Sequence, residues 1–113
     1  MKDQDSAGET LQGHQRQYLK GLAHELRPIV QVGGKGVTVE VAKAVSQALL
    51  DHELIKVRLH EPEDKRGMAA ALAMACNATL CGLVGHTVIL YKRHPKAPKI
   101  KLPVRPAKGF APR

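Results

Sequence analysis

The sequence predicts an α/β fold: a single compact domain, ordered α-β-α-β-α-β-β, in which a four-stranded mixed sheet carries three helices. Three observations predict it. The chain has 113 residues, enough for one domain and not two. Its apolar residues switch between helical and strand periodicity five times. Helices separate the early strands, which requires crossovers and partly parallel pairing, whereas a two-residue turn joins the last two strands into an antiparallel hairpin.

Residues 1–10 are polar and acidic, with Asp3, Asp5 and Glu9, and are expected to be disordered. A helical pattern runs from Leu11 to Leu26. Leu11, Tyr18, Leu22 and Leu26 share a face with Leu19 and Ala23 beside it, which assigns Tyr18 to the core. Arg16, Lys20, His24 and Arg27 recur at spacings of four, four and three and form one basic stripe. Pro28 stops the helix by disfavouring the helical conformation of Arg27. Ile29 to Val32 is a short β-branched run, read as a buried strand. After Gly33-Gly34-Lys35-Gly36, Thr38 can cap a helix that reaches about His52, with Val41, Val45, Ala48 and Leu49 inward. Leu54 to His60 alternates, Ile55, Val57 and Leu59 on one side and Lys56, Arg58 and His60 on the other. Pro62, Glu63 and Asp64 open a third helix, because acids favour the positive end of the helix dipole. Met68, Ala71, Leu72, Ala75 and Cys76 would face inward, and the helix ends near Asn77 to Thr79. Leu80 to Val84 and Thr87 to Tyr91 are strands around a Gly85-His86 turn.

The net charge is +8 and the pI about 9.8, which calls for an anionic partner such as nucleic acid or a membrane surface. The distribution is lopsided: all 10 acidic residues lie in residues 1–64 with 8 basic ones, and residues 65–113 hold 10 basic residues and no acid. Such asymmetry favours nucleic acid. No apolar run approaches the roughly 18 residues of a membrane span, and the first ten residues lack the apolar core of a secretory signal, so a cytoplasmic protein is expected. Residues 94–113 hold five of the seven prolines and six basic residues, too polar and proline-broken for a core of their own. This basic tail is expected to be extended, lying either along RNA phosphates or along the domain, which spans residues 11–93.

No catalytic arrangement is legible, and the chain is expected not to be an enzyme. Cys76 and Cys81 have no second pair to make a zinc motif and are expected to be buried, reduced thiols. No metal, cofactor or small-molecule substrate is implied. The six histidines are scattered, and His24 beside Glu25, or His52 between Asp51 and Glu53, cannot face their sequence neighbours on a helix. Tyr18, Tyr91 and Phe110 are too few aromatics for a base-stacking sheet, although Tyr91, ending a strand, could stack on a base or simply pack.

The glycine tetrad carries the chemistry. It joins a strand to a helix start, where glycines let the backbone come close to a ligand and first-turn amides lack internal partners and carry partial positive charge. A phosphate can accept hydrogen bonds there, and Lys35 adds a full charge. The spacing Gly33-x-x-Gly36 is also that of the loop with which KH domains clamp a nucleic-acid backbone. It is neither an ATP-binding loop, which needs a longer Gly-x-x-x-x-Gly-Lys-Ser/Thr run, nor a dinucleotide fingerprint. A tight turn can use glycines for structural reasons alone, so the basic stripe and the basic C-terminal half are what strengthen the reading.

Five stretches, taken in order, resemble the YhbY-type proteins, stand-alone versions of the CRM (chloroplast RNA splicing and ribosome maturation) domain. They are Leu11-Gln12-Gly13-His14-Gln15-Arg16-Gln17-Tyr18-Leu19-Lys20, Leu22 through Gly33, Gly33-Gly34-Lys35-Gly36-Val37-Thr38, His52-Glu53-Leu54-Ile55-Lys56-Val57-Arg58, and Gly85 through Arg93. The resemblance covers residues 11 to 93. It implies a fold akin to the C-terminal domain of translation initiation factor three. It also implies RNA binding through the GxxG loop and adjoining basic surface, and a role as assembly factor on ribosomal RNA in large-subunit precursors. The expected RNA-binding residues are Gly33, Gly34, Lys35, Gly36 and Thr38 at the loop, Arg16, Lys20 and Arg27 on the stripe, and Lys92 and Arg93 after the last strand. A monomer is expected. The rival readings are a general RNA chaperone or regulator of small or messenger RNAs, and a protein-interaction module whose glycine loop is only a turn.

Overall fold

Seven elements follow one another in the expected order in the computed structural model, which describes residues 11–103. The expected disorder of residues 1–10 and the end of the tail lie outside the described residues. The elements are α1 (Gly13–Ala23), β1 (Pro28–Val32), α2 (Val39–His52), β2 (Leu54–Leu59), α3 (Lys65–Cys76), β3 (Thr79–Val84) and β4 (Thr87–Tyr91). The sheet order is β1-β2-β4-β3, with β1 parallel to β2 and the other pairs antiparallel, so the sheet is mixed as predicted.

Strand alternation divides the core in two. Ile55, Val57 and Leu59 of β2 pack with Val88 and Leu90 of β4 beneath α2 and α3, which contribute Val45, Leu49, Ala69, Leu72 and Cys76. The opposite face presents Leu54, Ile89, Tyr91 and Cys81, covered by Leu19 and Ala23 of α1, by Leu11, and by Ile100 and Leu102 beyond β4. Tyr91 is buried there, so of its two readings the structure selects packing.

Helix ends follow local chemistry. Thr38 Oγ1 accepts the Val41 amide at 3.1 Å, and Asp64 Oδ1 accepts the Gly67 amide at 3.0 Å, each satisfying a first-turn donor. Pro62 and Glu63 therefore precede the third helix rather than open it. Asn77 closes α3 in the left-handed region (φ 58°). Helix α1 stops at Ala23, short of the expected Leu26. The chain leaves in a turn closed by the Leu26 amide on the Ala23 carbonyl (2.9 Å), which lets Arg27 enter Pro28 in extended form.

Three faces differ from expectation. The buried line of α1 is Leu19 and Ala23, and Tyr18, assigned to the core, is 42% exposed; the small Ala23 lets the helix lie close to the sheet and turns the larger residues to its flank. In α3, Ala69 and Ala73 are inward while Ala71 and Ala75 are exposed, because an alanine-rich helix has no strong apolar face to set its rotation. Strand β1 is an edge strand with Ile29 half exposed, not a buried one; edge position depends on pairing order, which local sequence does not carry.

The tail does not leave the domain at Arg93. Glu53, fully buried at the end of α2, receives the His94 amide on Oε2 (2.8 Å) and the Lys99 and Ile100 amides on Oε1 (2.9 and 2.7 Å). The Lys99 ammonium donates to the Asp51 carbonyl at 2.7 Å, and Gln15 Nε2 to the Pro103 carbonyl at 3.3 Å. Of the two courses left open for the tail, residues 94–103 take the one along the domain.

Candidate nucleic-acid interface

The tetrad forms a tight turn, the Gly36 amide donating to the Gly33 carbonyl at 3.0 Å. Gly36 lies at φ +77°, a conformation that side chains strain, so the fold itself requires that glycine. Gly33 and Gly34 are different. Neither has positive φ, and a Cβ at either would meet nothing within 4 Å. Internal packing does not explain them; what their bareness provides is backbone that an outside molecule can approach. Lys35 is exposed at the tip, with no hydrogen bond or ion pair to it among the described residues. Thr38 is committed to capping α2, and the amides ahead of Val41 have no acceptor within the helix. Glu40 stands in this first turn and would repel an anion approaching from its side.

The loop has two flanks of opposite character. Toward α3, Gly33 and Gly34 border a cleft of about 530 Å³ whose wall includes Glu61, Glu63 and Asp64. Three carboxylates, with His60 beside them, make that side unfavourable for a polyanion. Along β1 the surface is cationic: Arg27, Ile29, Gln31 and Arg58 line a concavity of about 450 Å³. Strand register explains the grouping. Gln31 pairs with Arg58 and Arg58 with Thr87, so these side chains emerge in one row on the face that α1 covers lower down. Helix α1 stops short of this row, leaving Arg58 exposed, whereas Lys56, one rung below, is half buried and donates to the Leu26 carbonyl at 3.1 Å.

The predicted residues thus divide. Gly33, Gly34, Lys35 and Gly36 form the loop, whereas Arg27 precedes β1, at the end of the strand away from the loop, and lines the concavity that Gln31 and Arg58 share. Lys20 borders the open row: its stem crosses β3 at Gly82, where a Cβ would come within 3.1 Å of it, about 7 Å below the level of Arg58. Arg16 points elsewhere, its guanidinium donating to the Leu11 carbonyl at 2.6 Å. Lys92 and Arg93 follow β4 at the far end of the sheet, about 17 Å along the strands from the loop. Lys92 serves the fold, its ammonium donating to the Cys76 carbonyl at the end of α3 (3.2 Å). The sequence places Arg58 on the polar face of its strand with Lys56 and His60 without assigning it to the binding set, and it does not single out Gln31; both are exposed here. Of the two cysteines, both buried and unpaired, Cys81 is pushed up to about 12 by burial, against the opposing charge of Arg16, and stays a thiol at neutral pH.

The model of the CRS1 / YhbY (CRM) domain matches residues 11–92. The chain belongs to that family. It is 41% identical over 96 residues to an "RNA-binding protein" of Haemophilus influenzae, covering 83% of this chain and 96% of that one. It is 39% identical over 95 residues to the "Probable RNA-binding protein YqeI" of Bacillus subtilis, covering 82% and 99%. The solution structure of a hypothetical protein from Staphylococcus aureus superposes with a TM-score of 0.73 at 32% identity, covering 83% of this chain and all of the other. The CRM match ends at residue 92, yet the clamp on Glu53 holds the chain on the domain as far as Ile100, and the Gln15 bond to the Pro103 carbonyl carries it to Pro103.

Proposed function

We propose that this protein binds RNA through the glycine loop between β1 and α2 and the basic surface beside it, and that it acts as an assembly factor on ribosomal RNA in large-subunit precursors. The observation that carries the RNA reading is the loop itself. Gly33 and Gly34 are bare without any internal need, Lys35 is an unshared cation at the tip, and the acidic and cationic flanks leave one approach for a phosphate strand. The names of the relatives support RNA as partner, and the resemblance to stand-alone CRM proteins supports the ribosome. Phosphate contacts of this kind give affinity and salt dependence rather than sequence reading. No catalytic step is part of the proposal.

Sedimentation of tagged protein through sucrose gradients of cell lysate tests it. The expected result is co-sedimentation with large-subunit precursors at low salt and release at high salt. A folded Gly34→Asp/Lys35→Asp variant is expected at the top of the gradient. Wild-type protein that stays at the top would remove the ribosomal role. Equal co-sedimentation of both proteins would remove the loop from the interface.

A further inference from the structure

Below the cationic concavity, the other end of β1 borders an apolar slot of about 430 Å³. Leu22 and Leu26 wall it from the α1 side, Ile29 from β1, Leu54 from β2 and Ile100 from the tail. Its volume falls in the roughly 300–1,000 Å³ range of small-molecule sites. Arg27 and Ile29 line both this slot and the concavity above it, so these two residues stand where the cavities meet. Leu22, Leu26 and Ile29 are each more than a third exposed, large apolar side chains that the fold leaves in contact with solvent.

We propose that this slot receives one unstacked nucleobase of the RNA strand held along β1, an inference that rests on the RNA reading above. The occupant follows from continuity and charge. A strand whose phosphates meet Lys35, Arg58 and Arg27 in turn is carried along β1 to the mouth of the slot, and β1 is about 17 Å long, a few nucleotides of extended chain. A base then offers what the slot fits: two apolar faces for the aliphatic walls, and acceptor edges for the donors of Arg27. The surface has little other means of holding a base. Tyr91 is buried, and no Phe, Tyr or Trp lines the slot or the concavity; the slot's one ring is the imidazole of His52, so aliphatic walls, that imidazole and the Arg27 side chain take the place of a stacking platform.

The test uses the full chain and short single-stranded RNAs of mixed sequence, about a dozen nucleotides long, read by fluorescence anisotropy. One series carries a single abasic site moved along the strand. For the wild type, abasic sites at one or two adjacent positions should weaken binding about tenfold, the scale of one lost base contact, while the others change little. Ile29→Ser should bind intact RNA about tenfold more weakly and lose its sensitivity to the abasic site, because the contact is then already gone. The abasic series needs no variant, so the proposal is decided even if Ile29→Ser does not fold. Equal binding of every abasic RNA and the intact one by the wild type would overturn the slot as a base site, leaving it to another segment of the chain or another partner, while RNA binding by the loop stood. No binding of any of these RNAs would overturn the slot and the RNA reading together.

Discussion

Glu53 concentrates more structural consequence than any other single residue. It is a non-glycine residue in a strained region (φ 67°), fully buried, and its carboxylate accepts three backbone amides from the tail. Burial by itself would raise its pKa; the amides of His94, Ile100 and Lys99, with the charge of His94, outweigh burial and hold it below the usual 4.5. A carboxyl lowered in the folded state adds stability that is present above the unfolded value and is lost as pH falls through the folded value. Stability should therefore decline with acid below about pH 4.5, and Glu53→Gln should flatten that part of the profile. At neutral pH the substitution replaces charge-assisted bonds with weaker ones and should cost about 1.5–3 kcal/mol in urea unfolding, with faster hydrogen exchange at Lys99 and Ile100. An unchanged midpoint and unchanged exchange would show that the tail is held by its apolar contacts instead. None of this was legible in the sequence. Glu53 reads there as a polar residue beside His52, and its partners are 41 to 47 positions away.

At the scale of elements, the loop joins a rigid strand end to a capped helix, and the cap can be separated from the binding surface. Thr38→Ala should remove the acceptor for the Val41 amide and lower stability by about 1 kcal/mol in thermal or urea unfolding. RNA affinity should fall only if Thr38 also touches phosphate; a loss of affinity beyond that of stability would return it to the binding set. The order of elements was readable because each segment's period is strong: the β2 alternation placed Ile55, Val57 and Leu59 correctly inward. The rotation of the helices was less readable. In α1 the larger residues Tyr18, Leu22 and Leu26 suggested a face, but the sheet accepted the line through Leu19 and Ala23. Period fixes which residues share a face, and the shape of the opposing surface decides which face goes in.

Across the whole molecule, charge is sorted by side rather than by half of the chain. The acidic residues that sequence order places before residue 65 include Glu61, Glu63 and Asp64, and folding sets these against the glycine loop on its α3 flank. Of the described basic residues that follow β4, Lys92 is spent on α3 and Lys99 on Asp51, at the end of the sheet away from the loop. The sequence therefore pointed to the loop and to Arg27, and its charge asymmetry pointed to a C-terminal footprint, of which Lys92 and Lys99 lie at the end of the sheet away from the loop. The most direct measurement is a titration of isotope-labelled protein with short single-stranded RNA, followed by amide chemical shifts. The account predicts the largest changes from Gln31 through Val39 and at Arg58, with little change at Glu61 to Asp64 or at Lys92. Changes centred on the far end of the sheet, with Gly33 to Gly36 silent, would contradict it and make the glycine loop a turn and nothing more.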